Sequence, residues 1–109
     1  MRQHETRLRN LHDAIVARLE KSRLKNRFSV GFNQETLRWL LEFERLSDAE
    51  LNTIRDLSVR VCPDRTRGNA VAQADDEHKA VHMAGLTSTE LRDFARAVAV
   101  HFRGQEAKR

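Results

Sequence analysis

Apolar residues near the start of the chain recur with the spacing of an α-helix. They fall at i, i+3, i+7, i+8 and i+11, a pattern that places them on one face of a helix; they are Leu8, Leu11, Ile15, Val16 and Leu19. We predict a first helix over about residues 3–25. After it, Phe28, Val30 and Phe32 alternate with small residues, which fits either a short strand or an extended linker.

The next segment is apolar at most of its positions. Asn33 has the side chain of a helix N-cap, so we predict a second helix over about 34–46. A helix that is apolar nearly all round is either central in a domain or shared with a partner. We therefore predict that its apolar residues contribute to a homodimer interface; they are Leu37, Trp39, Leu40, Leu41 and Phe43.

Two capping boxes mark the starts of two further helices. Ser47-Asp48-Ala49-Glu50 predicts a helix over about 48–61, which ends before Cys62-Pro63 because proline disfavours a helical residue before it. Thr87-Ser88-Thr89-Glu90 opens a last helix with an apolar face through Phe102. A weaker helix is predicted over Ala70 to Met83, closed by Gly85.

These elements predict an all-α fold, a small bundle of four to five helices that forms an intertwined homodimer. Residues 1–103 would be a single helical domain and 104–109 a frayed tail. Composition agrees, because four glycines, one proline and no tyrosine are few for a β-rich chain. The lone Cys62 excludes an intramolecular disulfide, and no apolar stretch is long enough for a membrane span. We expect a cytoplasmic protein without membrane contact.

Candidate catalytic chemistry is sparse. Asp75, His78 and His82 would share one face of a helix, but a fourth ligand is missing, and a polar surface is the better interpretation than a metal site. Cys62 is interpreted as structural, since no neighbouring sequence supplies an oriented base. The chain has no glycine-rich phosphate loop and no nucleophile motif. We predict neither an enzyme nor a cofactor.

Charge distribution suggests a different kind of function. Residues 1–27 carry eight basic and three acidic side chains, whereas residues 34–58 carry three basic and six acidic ones. Two basic clusters are candidates for contacts to DNA phosphates: Arg65 and Arg67 on the loop, and Arg92, Arg96 and Arg103 on one edge of the last helix. The first helix has a similar flank, formed by Arg7, Arg18, Lys21 and Lys25. The alternative is that these side chains only solvate the surface.

The segment from Leu11 to Arg65 resembles the FlhD family, the small subunit of the bacterial flagellar master regulator. The resemblance rests on His12-Asp13, on Phe28-Ser29-Val30-Gly31-Phe32-Asn33-Gln34-Glu35, on the leucine-rich segment that follows, and on Val61-Cys62 with Arg65. The present chain has about three extra residues before Val-Cys, and its C-terminal third matches poorly. A divergent member is therefore expected.

The resemblance implies an all-helical homodimer within a transcriptional activator. It would bind promoter DNA together with an FlhC-like zinc-binding partner subunit and recruit RNA polymerase. Relatives of this pair also activate transfer genes on conjugative elements. The alternative function is a small helical adaptor or inhibitor of other proteins, from a plasmid, a phage or a conjugative element.

Overall fold

A four-stranded antiparallel sheet forms one layer of the structure and three helices form the other. A computed structural model describes residues 2–61, 72–75 and 79–103, and its side chains from Glu5 onward except in the 72–75 strand. Within these residues the elements, in chain order, are α1 (Arg2–Glu20), β1 (Phe28–Asn33), β2 (Arg38–Phe43), α2 (Asp48–Val61), β3 (Ala72–Asp75), β4 (Ala80–Leu86) and α3 (Ser88–His101).

The strand order in the sheet is β1-β2-β4-β3. β1 and β2 form a hairpin in which Phe28 lies opposite Phe43 and Asn33 opposite Arg38. All three helices contact the same face of the sheet: α1 lies against β1, α3 against β2 and β4, and α2 against β4 and β3. α3 therefore lies between the other two helices. In the described residues the opposite face of the sheet carries no helix.

The core lies between these two layers. Trp39, Leu41 and Phe43 alternate with less buried residues along β2 and are at most 1% exposed. The Trp39 indole N–H donates to Ser88 Oγ at 3.1 Å, and the Phe43 ring meets Phe94 of α3 edge to face at 6.3 Å. The most deeply buried residues come from both layers and include Ile15, Leu19, Ile54, Val81, Met83, Leu86 and Leu91.

The predicted all-α fold is wrong, because the helix expected over 34–46 is half of the β1–β2 hairpin. Asn33 Oδ1 accepts hydrogen bonds from the backbone N–H groups of Glu35 and Thr36, as an N-cap would. The chain then reverses at Leu37, which has a φ of 59°. The same side-chain bonds thus open a turn. Most of the apolar residues that would have surrounded the expected helix instead lie on β2, a strand with one face in the core.

The helix predicted over Ala70 to Met83 is also wrong. β4 is an inner strand of the sheet and buries Val81 and Met83 on the helical side. Gly85 does not end a helix but lies in β4, where its pairing with β2 is irregular. Between the Trp39–Leu86 pair and the Leu41–Met83 pair, β4 has one residue more than β2. The Gly85 φ of 74° is the left-handed conformation that a bulge of this kind requires.

The other predicted elements are close to the observed ones. α2 has the predicted bounds, α3 begins at the predicted capping box, and β1 confirms the strand alternative for residues 27–32. α1 ends at Glu20, earlier than predicted, and a turn follows. Cys62, Arg65, Arg67 and the tail 104–109 lie outside the described residues. None of the described helices is long and apolar enough to cross a membrane.

The capping box of α2 is joined to the hairpin by an ion pair. Ser47 and Glu50 exchange backbone-to-side-chain hydrogen bonds of 2.9 and 3.1 Å. Arg27, just before β1, donates to both Glu50 carboxylate oxygens at 3.1 and 3.2 Å. Its guanidinium also donates to the carbonyls of Arg45 and Arg23 at 2.8 and 2.9 Å. One arginine therefore connects the turn after α1, the loop after β2 and the first turn of α2.

This arrangement predicts an acid-dependent loss of stability. Burial raises the pKa of the Glu50 carboxyl, but hydrogen bonds from Arg27 and Ser47 outweigh burial and hold the pKa below its ordinary value of 4.5. A carboxyl whose folded-state pKa is lowered stabilises the fold above its unfolded-state pKa, and this contribution is lost as the pH falls through the folded-state pKa. In urea titrations, we expect the stability difference between wild type and Glu50→Gln to shrink on acidification. A difference independent of pH would contradict the prediction.

Candidate nucleic-acid interface

Helices α1 and α3 lie side by side and run in the same direction. Leu11, in the middle of α1, and Ser88, at the start of α3, line one shallow groove. Beyond their C-terminal ends, Ser22 and Arg103 form a β-bridge, and the Arg23 N–H donates to the Phe102 carbonyl at 2.8 Å. The two helices are therefore neighbours from this groove to their C-terminal ends.

The exposed edge of α3 carries the predicted DNA-contact residues of the last helix. Arg92 and Arg96 lie within α3 and Arg103 two residues past its end, and all three are exposed. At 100° per residue Arg92 and Arg96 lie within about 40° of each other around the helix axis. Arg103 lies beyond the helix, in a β-bridge with Ser22. The residues of α3 that face the core instead are Leu91, Phe94, Ala95 and Val98. α3 therefore presents Arg92 and Arg96 on one edge, and Arg103 follows beyond the end of the helix. Contact of these residues with DNA stays a prediction.

The flank of α1 that faces α3 is basic as well. Arg7, Arg18 and Lys21 are exposed. Arg7 and Arg18 lie within about 20° of each other around the α1 axis, and Lys21 is the first residue after the helix. Arg7 lines the same groove as Arg92 of α3, so the two basic edges meet there. The remaining member of the predicted α1 flank, Lys25, lies in the turn after the helix.

Two grooves on the helical surface differ in their lining. The α1–α3 groove measures about 610 Å³ and has Arg7 and Arg92 at its rim. The α2–α3 groove measures about 490 Å³ and has Asp93, Arg96 and His101 at its rim. Its apolar lining residues are Leu57, Val61, Ala97 and Val100. Arg96 therefore borders the α2–α3 groove, whereas Arg92 borders the α1–α3 groove.

We call the surface formed by α1 and α3 the basic ridge. It is defined by six exposed side chains, Arg7, Arg18 and Lys21 on the side of α1, and Arg92, Arg96 and Arg103 on the side of α3. The acidic residues of α1 project from the other side of the helix, at more than about 100° from Arg7; they are Glu5, Asp13 and Glu20. Arg7 and Arg18 therefore lie on the side of α1 that adjoins α3, whereas Arg9 lies among the acidic residues on the other side.

The cations of the ridge are not neutralised within the described part of the chain. None of the six side chains makes an ion pair there, whereas Arg27 pairs with Glu50 and Lys79 with Asp48. Like charges on adjacent helices repel one another, so the ridge is electrostatically unfavourable in the free protein. An anionic partner would relieve this repulsion.

The other predicted site residues lie in different places. Trp39, Leu41 and Phe43, expected at a dimer interface, are buried in the chain's own core, so their apolar character needs no partner. Leu40 is half-buried on the open face of the sheet. Leu37 is 58% exposed at the hairpin turn. The loop arginines, Arg65 and Arg67, lie outside the described residues.

The helical face expected for Asp75, His78 and His82 does not exist, because Asp75 ends β3 and His82 lies within β4. His78 lies outside the described residues. His82 Nδ1 is 3.7 Å from Glu42 Oε2 on the neighbouring strand β2. Among the side chains that the structure describes, no three potential ligands gather around one point.

Sequence patterns identify each basic edge but not their juxtaposition. The helical spacing of Arg7, Arg18 and Lys21 is sufficient to group them, and that of Arg92 and Arg96 likewise. The parallel packing of α1 on α3 joins residues about 80 positions apart, and no local pattern encodes that contact. No family model, curated protein or solved structure matches the chain. The resemblance to the FlhD family therefore stays a prediction, and the all-helical fold that it implied is wrong.

Proposed function

We propose that this protein binds nucleic acid along the basic ridge, as a DNA-contacting subunit of a cytoplasmic transcriptional activator. The observation that carries the proposal is the set of six cations on one surface of two packed helices, none of them ion-paired within the described residues. Five of the six are arginines, whose planar guanidinium groups match phosphate oxygens with paired hydrogen bonds.

The dimensions of the ridge suit a phosphate backbone. Arg7 and Arg18 are eleven residues apart within α1, which corresponds to about 16 Å along the helix axis. The axes of packed helices lie about 8–10 Å apart. The ridge thus offers two roughly parallel rows of cations over about half a turn of duplex DNA, which measures about 34 Å per turn.

Contacts of this kind bind without selecting a sequence. Phosphate contacts position a protein on the duplex, and base edges carry the sequence information. We therefore expect the isolated protein to bind DNA weakly and without preference for a promoter. A partner subunit would select the DNA sequence. The FlhD resemblance suggests that this partner is an FlhC-like zinc-binding protein. The assembled complex would then recruit RNA polymerase.

The test is a titration of duplex DNA at several salt concentrations. Each phosphate contact contributes about 0.9 to the slope of log affinity against log salt. The double variant Arg92→Ala/Arg96→Ala should therefore lower the slope by about 1.8 and weaken binding at low salt. Arg9→Ala/Arg60→Ala is the matched control, because both residues are exposed and lie off the ridge. It removes the same charge.

Three results bear on the proposal in different ways. A slope that falls only in the ridge variant supports it. Equal losses in the ridge and control variants would show that net charge, rather than this surface, binds DNA. An unchanged slope in the ridge variant would contradict the proposal and would mean that Arg92 and Arg96 only solvate the surface.

The second candidate function is a protein–protein adaptor. It is favoured by the apolar lining of the α2–α3 groove, which includes Leu57 and Val100, and Val100 is 52% exposed. An adaptor without a nucleic-acid ligand would not bind duplex DNA at any salt concentration. The same titration therefore separates the two candidates.

A further inference from the structure

Strand β1 is an edge of the sheet, and half of its backbone faces away from β2. The Glu44 N–H donates to the Arg27 carbonyl at 2.9 Å, one step before the strand begins. Hydrogen-bonded pairs alternate along an antiparallel ladder, so Ser29, Gly31 and Asn33 direct their N–H and C=O groups towards β2. The backbone groups of the three alternate residues, Phe28, Val30 and Phe32, point outward.

These outward groups have no hydrogen-bond partner in the part of the chain that the structure describes. The strand also lacks the features that usually protect an edge. Its sequence, Phe-Ser-Val-Gly-Phe-Asn, contains no charge and no proline. A six-residue edge of this kind is a template for pairing with another strand.

The sequence of the edge is nearly symmetric about Val30. Phenylalanines lie two residues before and two residues after it, and the intervening residues, Ser29 and Gly31, are both small. Two antiparallel copies centred on Val30 would place Phe28 opposite Phe32 and Ser29 opposite Gly31. In this register every outward N–H and C=O group of the three residues finds its counterpart. No like charges come opposite each other, and aromatic residues meet across the strands.

We infer that β1 is the interface for a second copy of this chain. Two protomers pair their β1 strands about a twofold axis and form one sheet with the order β3-β4-β2-β1-β1-β2-β4-β3. The homodimer expected from the sequence would thus form through β1, and not through the residues from Leu37 to Phe43 that the sequence pattern predicted for its interface. It stands independently of nucleic-acid binding, because the basic ridge lies on the helical layer.

The first test is sedimentation equilibrium of the full chain at increasing concentration. We expect a dimer for wild type and a monomer for Val30→Pro, because proline removes the central outward N–H while leaving the ladder to β2 intact. Val30→Ala is the matched control, since it shortens the side chain but keeps the N–H, and it should remain dimeric. A monomeric wild type at about 100 µM, well above the dissociation constant of a stable dimer, would overturn the inference.

The second test remains informative if Val30→Pro does not fold. Ser29 and Gly31 lie on the open face, and an added Cβ at Gly31 meets only Leu40, at 3.6 Å or more. Ser29→Lys/Gly31→Lys and Ser29→Glu/Gly31→Glu should each be monomeric, because like charges would oppose each other across the twofold axis. Mixing the two variants should restore a dimer. A dimer formed by either variant alone, or a monomeric mixture, would contradict the β1 interface. DNA titration of the same variants reports separately on the ridge.

Discussion

Replacing Phe43 with alanine is expected to lower the free energy of unfolding by about 3–5 kcal/mol, and Trp39→Ala by a similar amount, because each leaves a large cavity in a closed core. Both side chains are at most 1% exposed. Phe43 also loses its edge-to-face contact with Phe94, and Trp39 its hydrogen bond to Ser88 Oγ. Urea unfolding monitored by circular dichroism measures the change.

A control on the same strand separates core burial from strand propensity. Leu40 lies between Trp39 and Leu41 on β2 but is only half-buried on the open face. Leu40→Ala should therefore cost clearly less than Phe43→Ala, since less apolar area returns to water. Equal losses at the two positions would mean that the β2 faces are assigned the wrong way round.

Arg27→Met is expected to lower the free energy of unfolding by about 2–3 kcal/mol, the magnitude for hydrogen bonds to a charged group of which one partner is removed. The Arg27 and Glu50 side chains are only 24% and 20% exposed, so solvent does not replace the guanidinium fully. Two backbone carbonyls, of Arg45 and Arg23, also lose their donor. Arg27→Lys should rescue only part of the loss, because an ammonium group cannot repeat the paired contact with Glu50.

The control for Arg27→Met is an exposed ion pair close by. Glu44 and Arg45 are 57% and 64% exposed, and their charged atoms are 3.7 Å apart. Glu44→Gln should change the free energy of unfolding by less than about 0.5 kcal/mol, as surface pairs contribute little. If Arg27→Met were equally mild, the junction between the hairpin and α2 would not depend on this arginine.

Local sequence by itself determined the helices that have their own start and stop signals. The Ser47–Glu50 and Thr87–Glu90 boxes both form as predicted, and their helices begin where the boxes place them. α2 also ends at Val61, as predicted from the proline that follows Cys62. Capping and proline effects act within a few residues, so they can be recognised without knowledge of the fold.

The tertiary structure decided the segments whose apolar pattern suits more than one element. The stretch from Leu37 to Phe43 fits an all-round apolar helix, yet the same residues satisfy the period of two that a strand requires. Pairing with β1 and β4 selects the strand, because the ladder satisfies its backbone while Trp39, Leu41 and Phe43 enter the core. β4 depends on the same long-range pairing.

The basic ridge and the β1 edge were likewise determined partly by local sequence and partly by the tertiary structure. Helical spacing alone groups the arginines of α3 on one edge, and the alternation of Phe28, Val30 and Phe32 is evident in the sequence. Only the packing of α1 beside α3 makes one ridge of two basic edges. Only the strand order leaves β1 at the edge of the sheet with its outward backbone unpaired among the described residues. Both depend on contacts between residues far apart in the chain, which a local pattern does not encode.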